Sequence, residues 1–115
     1  MFMQYLLVIN SSIENKYVHE FVLELLSKFD EKERVLKGIF ISSNSVSLCS
    51  LDCSDKALQD SYVKQALRLN LKMLVCGRAF SEAHLDKDRV QDGFELSGNM
   101  ELSMLISEVD KVLEF

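Results

Sequence analysis

The stretch LKMLVCGRAF, residues 71–80, decides the fold. Met73-Leu74-Val75 is an uninterrupted apolar run of the length of a strand buried on both faces. It stops at Cys76, and from Gly77 the pattern changes to one that predicts a short helix over residues 77–85. A doubly buried strand running directly into a helix is the join from which parallel α/β sheets are built.

Reading outward, the same alternation recurs. Tyr5-Leu6-Leu7-Val8-Ile9 is a second apolar run, closed by Asn10-Ser11-Ser12. Val18, Phe21, Val22, Leu25, Leu26 and Phe29 then recur at three- and four-residue spacing and predict an amphipathic helix over Glu14 to Lys28. Residues 35–42, centred on Ile39-Phe40-Ile41, predict another strand, followed by a serine-rich segment holding Cys49 and Cys53. Ser54 or Asp55 can cap a helix with an inner face of Leu58, Tyr62, Val63, Ala66, Leu67 and Leu69. Beyond residue 85 the sequence predicts a short strand at Phe94-Glu95-Leu96 and a helix over Asn99 to Glu108 that buries Leu102, Leu105, Ile106 and Val109. A last strand follows over Lys111 to Phe115. The expected architecture is one domain over residues 1–115, an open parallel sheet of about five strands with helices on both faces and right-handed crossovers. In such sheets functional groups collect beyond the carboxyl ends of the strands, where strand order reverses. Reversal between the first and third strands would bring Asn10, Ser11 and Ser12 beside Cys76.

Composition narrows the functional classes. The chain of 115 residues has 13 basic and 18 acidic residues, a net charge of −5, and no cationic stripe to neutralise successive phosphates. Direct nucleic-acid binding is therefore not expected. The apolar start lacks the positive flank of a signal peptide, and no stretch approaches the roughly 20 apolar residues of a membrane span. With three cysteines, an odd number, the sequence fits a cytoplasmic, reducing setting rather than a disulfide scaffold.

Cys76 is the residue whose position suggests chemistry. At a strand-to-helix junction its sulfur lies near backbone N–H groups of the helix start, which favour thiolate over thiol. Gly77 permits close approach, and Arg78 would add positive charge if its side chain turns back. The competing reading is a strand-end cysteine acting as a small hydrophobe. Other cysteine chemistries fail on sequence. A Cys-x5-Arg phosphate loop would need arginine where Glu82 stands, and no Cys-x-x-Cys pair or proline is present. Cys49, Cys53, His19 and His84 lack the close spacing of a zinc site. His84 is a surface histidine or a proton-transfer partner of Cys76, and Cys49 and Cys53 are two partly buried small residues of a loop or members of a mobile loop able to swing over the site.

Three features in register, the apolar strand ending at Cys76, the Gly93-Phe94-x-Leu96-Ser97-Gly98 turn and the terminal Asp110-x-Val112-x-x-Phe115, resemble the DsrE family of small sulfur-handling proteins. Within it they resemble the TusD-like subunits of the TusBCD sulfur-relay complex. The resemblance implies a flavodoxin-like α/β domain and a sulfurtransferase role in which Cys76 holds sulfane sulfur as a persulfide. It also implies TusB-like and TusC-like partner subunits in an oligomer, or DsrF-like and DsrH-like ones in relatives of sulfur oxidation. The sulfur would pass to a TusE-like acceptor on the way to 2-thiouridine in tRNA. No metal or organic cofactor is implied. A non-catalytic, partner-recruiting subunit of a DsrE- or TusC-like assembly is the alternative. An apolar edge strand at Lys111 to Phe115 independently suggests an oligomer.

Overall fold

The structure, a computed structural model, describes residues 3–115. Each apolar run of the sequence forms a strand: β1 (Met3–Ile9), β2 (Arg34–Ile41), β3 (Met73–Cys76), β4 (Phe94–Ser97) and β5 (Lys111–Glu114). They make one five-stranded parallel sheet in the order β4-β3-β2-β1-β5. Helices α1 (Lys16–Leu26), α2 (Lys56–Arg68), α3 (Gly77–Glu82) and α4 (Asn99–Glu108) connect them.

The order explains the layers. From β1 to β4 the chain steps across the sheet in one direction, so right-handed crossovers place α1, α2 and α3 on one face. The connection from β4 to β5 travels back past the whole sheet, which puts α4 on the other. Strand alternation follows suit. Leu7, Ile9, Ile39, Ile41, Met73 and Val75 pack under α1 and α2 in the larger core. Leu6, Val8, Phe40 and Leu74 form a smaller one, with Leu102 and Leu105 of α4 and Val109 just after it against it. Pairing shifts between Tyr5 and Leu6 so that Lys37 is the extra residue of a bulge. Its effect is to put Leu36 on the same face as Ile39 and Ile41, where strict alternation would have turned it to the α4 face with Phe40.

The helices bury narrower faces than the periodicity predicts. In α1 the inward stripe is His19, Val22 and Leu26. Phe21, expected inside, is 58 % exposed and lies against Phe115, ring centroids 5.5 Å apart. In α2 Gln59, Tyr62 and Ala66 face inward and Leu67 faces out. Gln59 holds that place because its Nε2 donates to the carbonyls of Leu48 (2.8 Å) and Ser50 (2.7 Å), so its amide is satisfied where burial would otherwise be costly. α2 ends with Asn70 in the left-handed conformation (φ 57°), a usual stop after a last helical turn. Leu102 and Leu105 of α4 and Val109 at its C-cap are half-buried, whereas Ile106, expected inside, is exposed. The serine-rich segment is a packed 3-10 helix, Ser43–Cys49, with Ser45, Val46, Leu48 and Cys49 buried. Among the described residues no helix is long and apolar enough to cross a membrane.

Candidate functional site

The strand order moves the crevice from where the sequence suggested it. β2 lies between β1 and β3, which sets them two strand spacings, about 10 Å, apart. The point at which successive connections leave for opposite faces is between β3 and β4: β3 continues into α3 on one side, β4 into α4 on the other. Open α/β sheets bind their ligands at such a divergence. Its two terminal residues are Cys76 and Ser97, which are register partners.

Cys76 is half-buried and is the N-cap of α3, its Sγ accepting a hydrogen bond from the Ala79 N–H at 3.5 Å. A thiol thus occupies a position usually held by Ser, Thr, Asp or Asn. Below it the chain is wholly buried, with Met73, Leu74 and Val75 fixing where the strand ends. Gly77 fits closely against its neighbour, because a Cβ there would stand 3.1 Å from the Ser97 carbonyl oxygen and the backbone would have to give by a few tenths of an ångström. At Gly98, by contrast, an added Cβ meets nothing within 4 Å, so the crevice is open on the β4 side. The Ser97 hydroxyl hydrogen-bonds Glu101 in the first turn of α4.

The other residues singled out from the sequence are engaged elsewhere. Arg78 does not turn back to the sulfur, since its Nε pairs with Glu82 Oε1 at 3.1 Å one helical turn on. Asn10 donates from Nδ2 to Glu114 Oε1 (2.7 Å), and the Ser12 hydroxyl accepts the Glu14 N–H (3.2 Å). The carbonyls of Ser11 and Ser12 accept from His19 Nε2 at 3.2 and 3.0 Å, and that of Ser11 also accepts the Ser45 hydroxyl. Because carbonyls only accept, the Nε2 of His19 carries the proton and its Nδ1 accepts the Tyr62 hydroxyl, 2.8 Å away. Burial pushes the ionisation of Tyr62 well above its ordinary range, which keeps that donor protonated. His19 is therefore a buried pin joining α1, α2 and the loop after β1. Sequence alone carries no sign of it, since its partner lies 43 residues away.

Cys49, Cys53 and Cys76 are all free thiols. Cys49 is fully buried, and desolvation pushes its pKa up to about 11. Cys53 is also buried, and its sulfur donates to the Asp55 carbonyl at 3.6 Å. It borders a cleft of about 490 Å³ with Ser12, Glu14, Asp52, His84 and Arg89, so His84 faces Cys53's cleft and not Cys76. Arg89 closes one side through a two-pronged pair with Asp52, both contacts 2.8 Å, which holds the Asp52 carboxyl below its usual range. A backbone bridge, Ser50 to Val90, ties the same two segments together. The segment around Cys49 and Cys53 is thereby anchored and packed, which agrees with the reading of buried small residues and not with a mobile loop. Among the described residues no three His, Cys, Asp or Glu side chains come together to hold a metal ion.

No protein-family model and no curated protein matches the sequence. Solved structures do match. The YchN protein of E. coli superposes with a TM-score of 0.75 at 17% identity, covering 98% of this chain and 99% of that one. MTH1491, a protein of unknown function from Methanobacterium thermoautotrophicum, superposes with a TM-score of 0.70 at 14% identity, again over 98% and 99% of the two chains. These likenesses establish the α/β fold over nearly the whole chain.

Proposed function

We propose that the protein is a persulfide carrier of a sulfur relay, with Cys76 as the residue that takes up and releases sulfane sulfur. The observation that carries this reading is the place of Cys76: a half-buried sulfur at the divergence of β3 and β4, turned toward the first N–H groups of α3. Persulfide transfer asks for little beyond an accessible thiolate and room for a partner. The Cys76 thiolate attacks the outer sulfur of a donor persulfide, forming a new S–S bond as the donor's breaks, and the donor leaves as thiolate. In the second half an acceptor thiolate attacks the terminal sulfur of Cys76–S–SH and restores the Cys76 thiolate. The Ala79 N–H supports the anion at both ends of the cycle, and Gly77 keeps the approach narrow enough for the sulfur to stay beside Ser97.

From the sequence resemblance we further propose TusB-like and TusC-like partner subunits, a TusE-like acceptor and tRNA 2-thiouridine as the destination. Incubation with a cysteine desulfurase and cysteine is expected to add the mass of sulfur to the intact chain, and Cys76→Ser to abolish the adduct. An unloaded wild type beside a control carrier that loads normally would remove the proposal. A second reading, a non-catalytic partner-recruiting subunit, draws on the apolar side chains that α4 and β5 leave exposed, Met100, Met104, Ile106 and Val112. It requires that Cys76→Ser leave sulfur flux through the assembled complex unchanged.

A further inference from the structure

We infer that the sheet face left open beside α4 is a docking face for a basic segment of the protein that exchanges sulfur with Cys76, an inference that rests on the carrier role of that residue. α4 packs over β1 and β2. On the same side β3 and β4 present Leu74 and Cys76 next to their register partners Glu95 and Ser97. Between this ledge and α4 runs a groove of about 340 Å³, bordered by Leu74, Leu105, Met104 and Glu101. Cys76 lies two residues beyond Leu74, about 7 Å further along the strand, so the thiol stands at the upper end of the groove.

Charge selects the occupant. Glu101, whose carboxylate accepts the Ser97 hydroxyl, lies at the thiol end and Glu95 stands one register step back beside Leu74, and neither forms an ion pair among the described residues. The nearest cation in sequence, Arg78, is taken by Glu82. Lys37 and Lys72 stand with Glu108 at the opposite end of the groove. The field around the sulfur is therefore negative, which repels a polyphosphate chain and attracts lysine or arginine. The 59 % exposed Met104, on the groove's α4 side, supplies an apolar contact for the same visitor. The complementary partner is a protein segment with basic residues beside its reactive cysteine and an apolar side chain a few ångströms along.

Synthetic peptides test this without a known partner. Three peptides of equal length carry one cysteine as an activated aryl disulfide, flanked by lysine, serine or glutamate, and a small neutral aryl disulfide serves as the reference. The Cys76 thiolate displaces the aryl thiolate, one S–S bond forming as another breaks, and intact mass against a Cys76→Ser background reports the rate. The lysine peptide is expected to react about tenfold faster than the glutamate peptide at low salt, with the gap closing as salt screens it. Glu95→Gln with Glu101→Gln shrinks the gap several-fold once each peptide rate is divided by the same protein's rate with the neutral reagent, which removes any change in the ionisation of the thiol itself. Equal rates for the three peptides, or a bias that survives in the double variant, overturns the inference. So does a neutral-reagent rate that climbs on dilution, which would mean that a second copy of the chain covers the face. A chain that shows the lysine bias but takes no sulfur from a desulfurase keeps the docking face and loses the carrier role; the converse result does the reverse.

Discussion

Burial of Cys49 makes it a silent thiol, and the size of the effect follows from its surroundings. Its pKa rises from an ordinary 9.0 to about 11, with desolvation as the largest cause. At pH 8 an ordinary thiol is about a tenth ionised and one at 11 about a thousandth, so the supply of thiolate falls roughly hundred-fold. Steric closure acts in the same direction, because the side chain is fully buried. Native protein treated with iodoacetamide and then digested is expected to carry label on Cys76 first, with Cys49 at least about a hundred-fold slower and all three equal in urea. The shift also makes stability depend on pH. A thiol harder to ionise in the folded chain leaves the unfolded chain binding fewer protons between the two values, so stability is intact below pH 9 and declines as pH rises toward 11. The amount is about 3 kcal/mol, from some two units at 1.36 kcal/mol each. Urea unfolding of the wild type and Cys49→Ala at pH 8 and pH 11 isolates it, with a wild-type decline exceeding the variant's by that order. Cys49 labelling within tenfold of Cys76, together with parallel pH profiles, would refute the account.

Other consequences are open to direct measurement. Tyr62→Phe removes the hydroxyl that His19 Nδ1 accepts and leaves a buried nitrogen unsatisfied, at a cost of about 1–3 kcal/mol; a urea midpoint equal to wild type, with unchanged amide exchange over residues 11–14, would contradict the tautomer assigned to His19. Gly77→Ala drives a Cβ to 3.1 Å from the Ser97 carbonyl, and the strain of overpacking, about 1 kcal/mol or more, should lower stability and slow alkylation of Cys76, while an alanine at the open Gly98 leaves both near wild type. Asp30 accepts the N–H groups of Lys32, Glu33 and Arg34, which lowers its pKa. A depressed carboxyl stabilises above its unfolded value and ceases to do so as pH falls through the folded one, so the advantage of wild type over Asp30→Asn should vanish in strong acid; an advantage unchanged down to pH 2 would discount the turn.

Much of the fold is legible in the sequence because its strands are doubly buried. Tyr5 to Ile9, Ile39 to Ile41 and Met73 to Val75 leave little alternative to a parallel sheet, and each following helix begins near a capping or turn residue. Strand order is not legible, since it depends on which way each crossover steps and which face it covers, and the apolar runs look alike for either choice. β2 between β1 and β3 is the result. The inward residues of α1 and α2 are missed for a related reason. His19 and Gln59 are polar by type and buried by virtue of partners at Tyr62, Leu48 and Ser50 that periodicity does not reveal. At the site, the junction at Cys76 is readable from adjacent residues, whereas the pairing of Arg78 with Glu82 and the gathering of Cys53, His84 and Arg89 round one cleft arise from side-chain choice and long-range assembly.

The sheet also acts as a partition. Cys49 and Cys53 belong to the layer beneath α1 and α2, and Cys76 packs against the layer beneath α4. A persulfide is readily discharged by any neighbouring thiol, which would close a ring disulfide and expel the cargo as hydrosulfide. If Cys76 carries sulfur as proposed, the wall of interlocked backbone keeps that sulfur from Cys49 and Cys53 and leaves it for a thiol that arrives from another molecule.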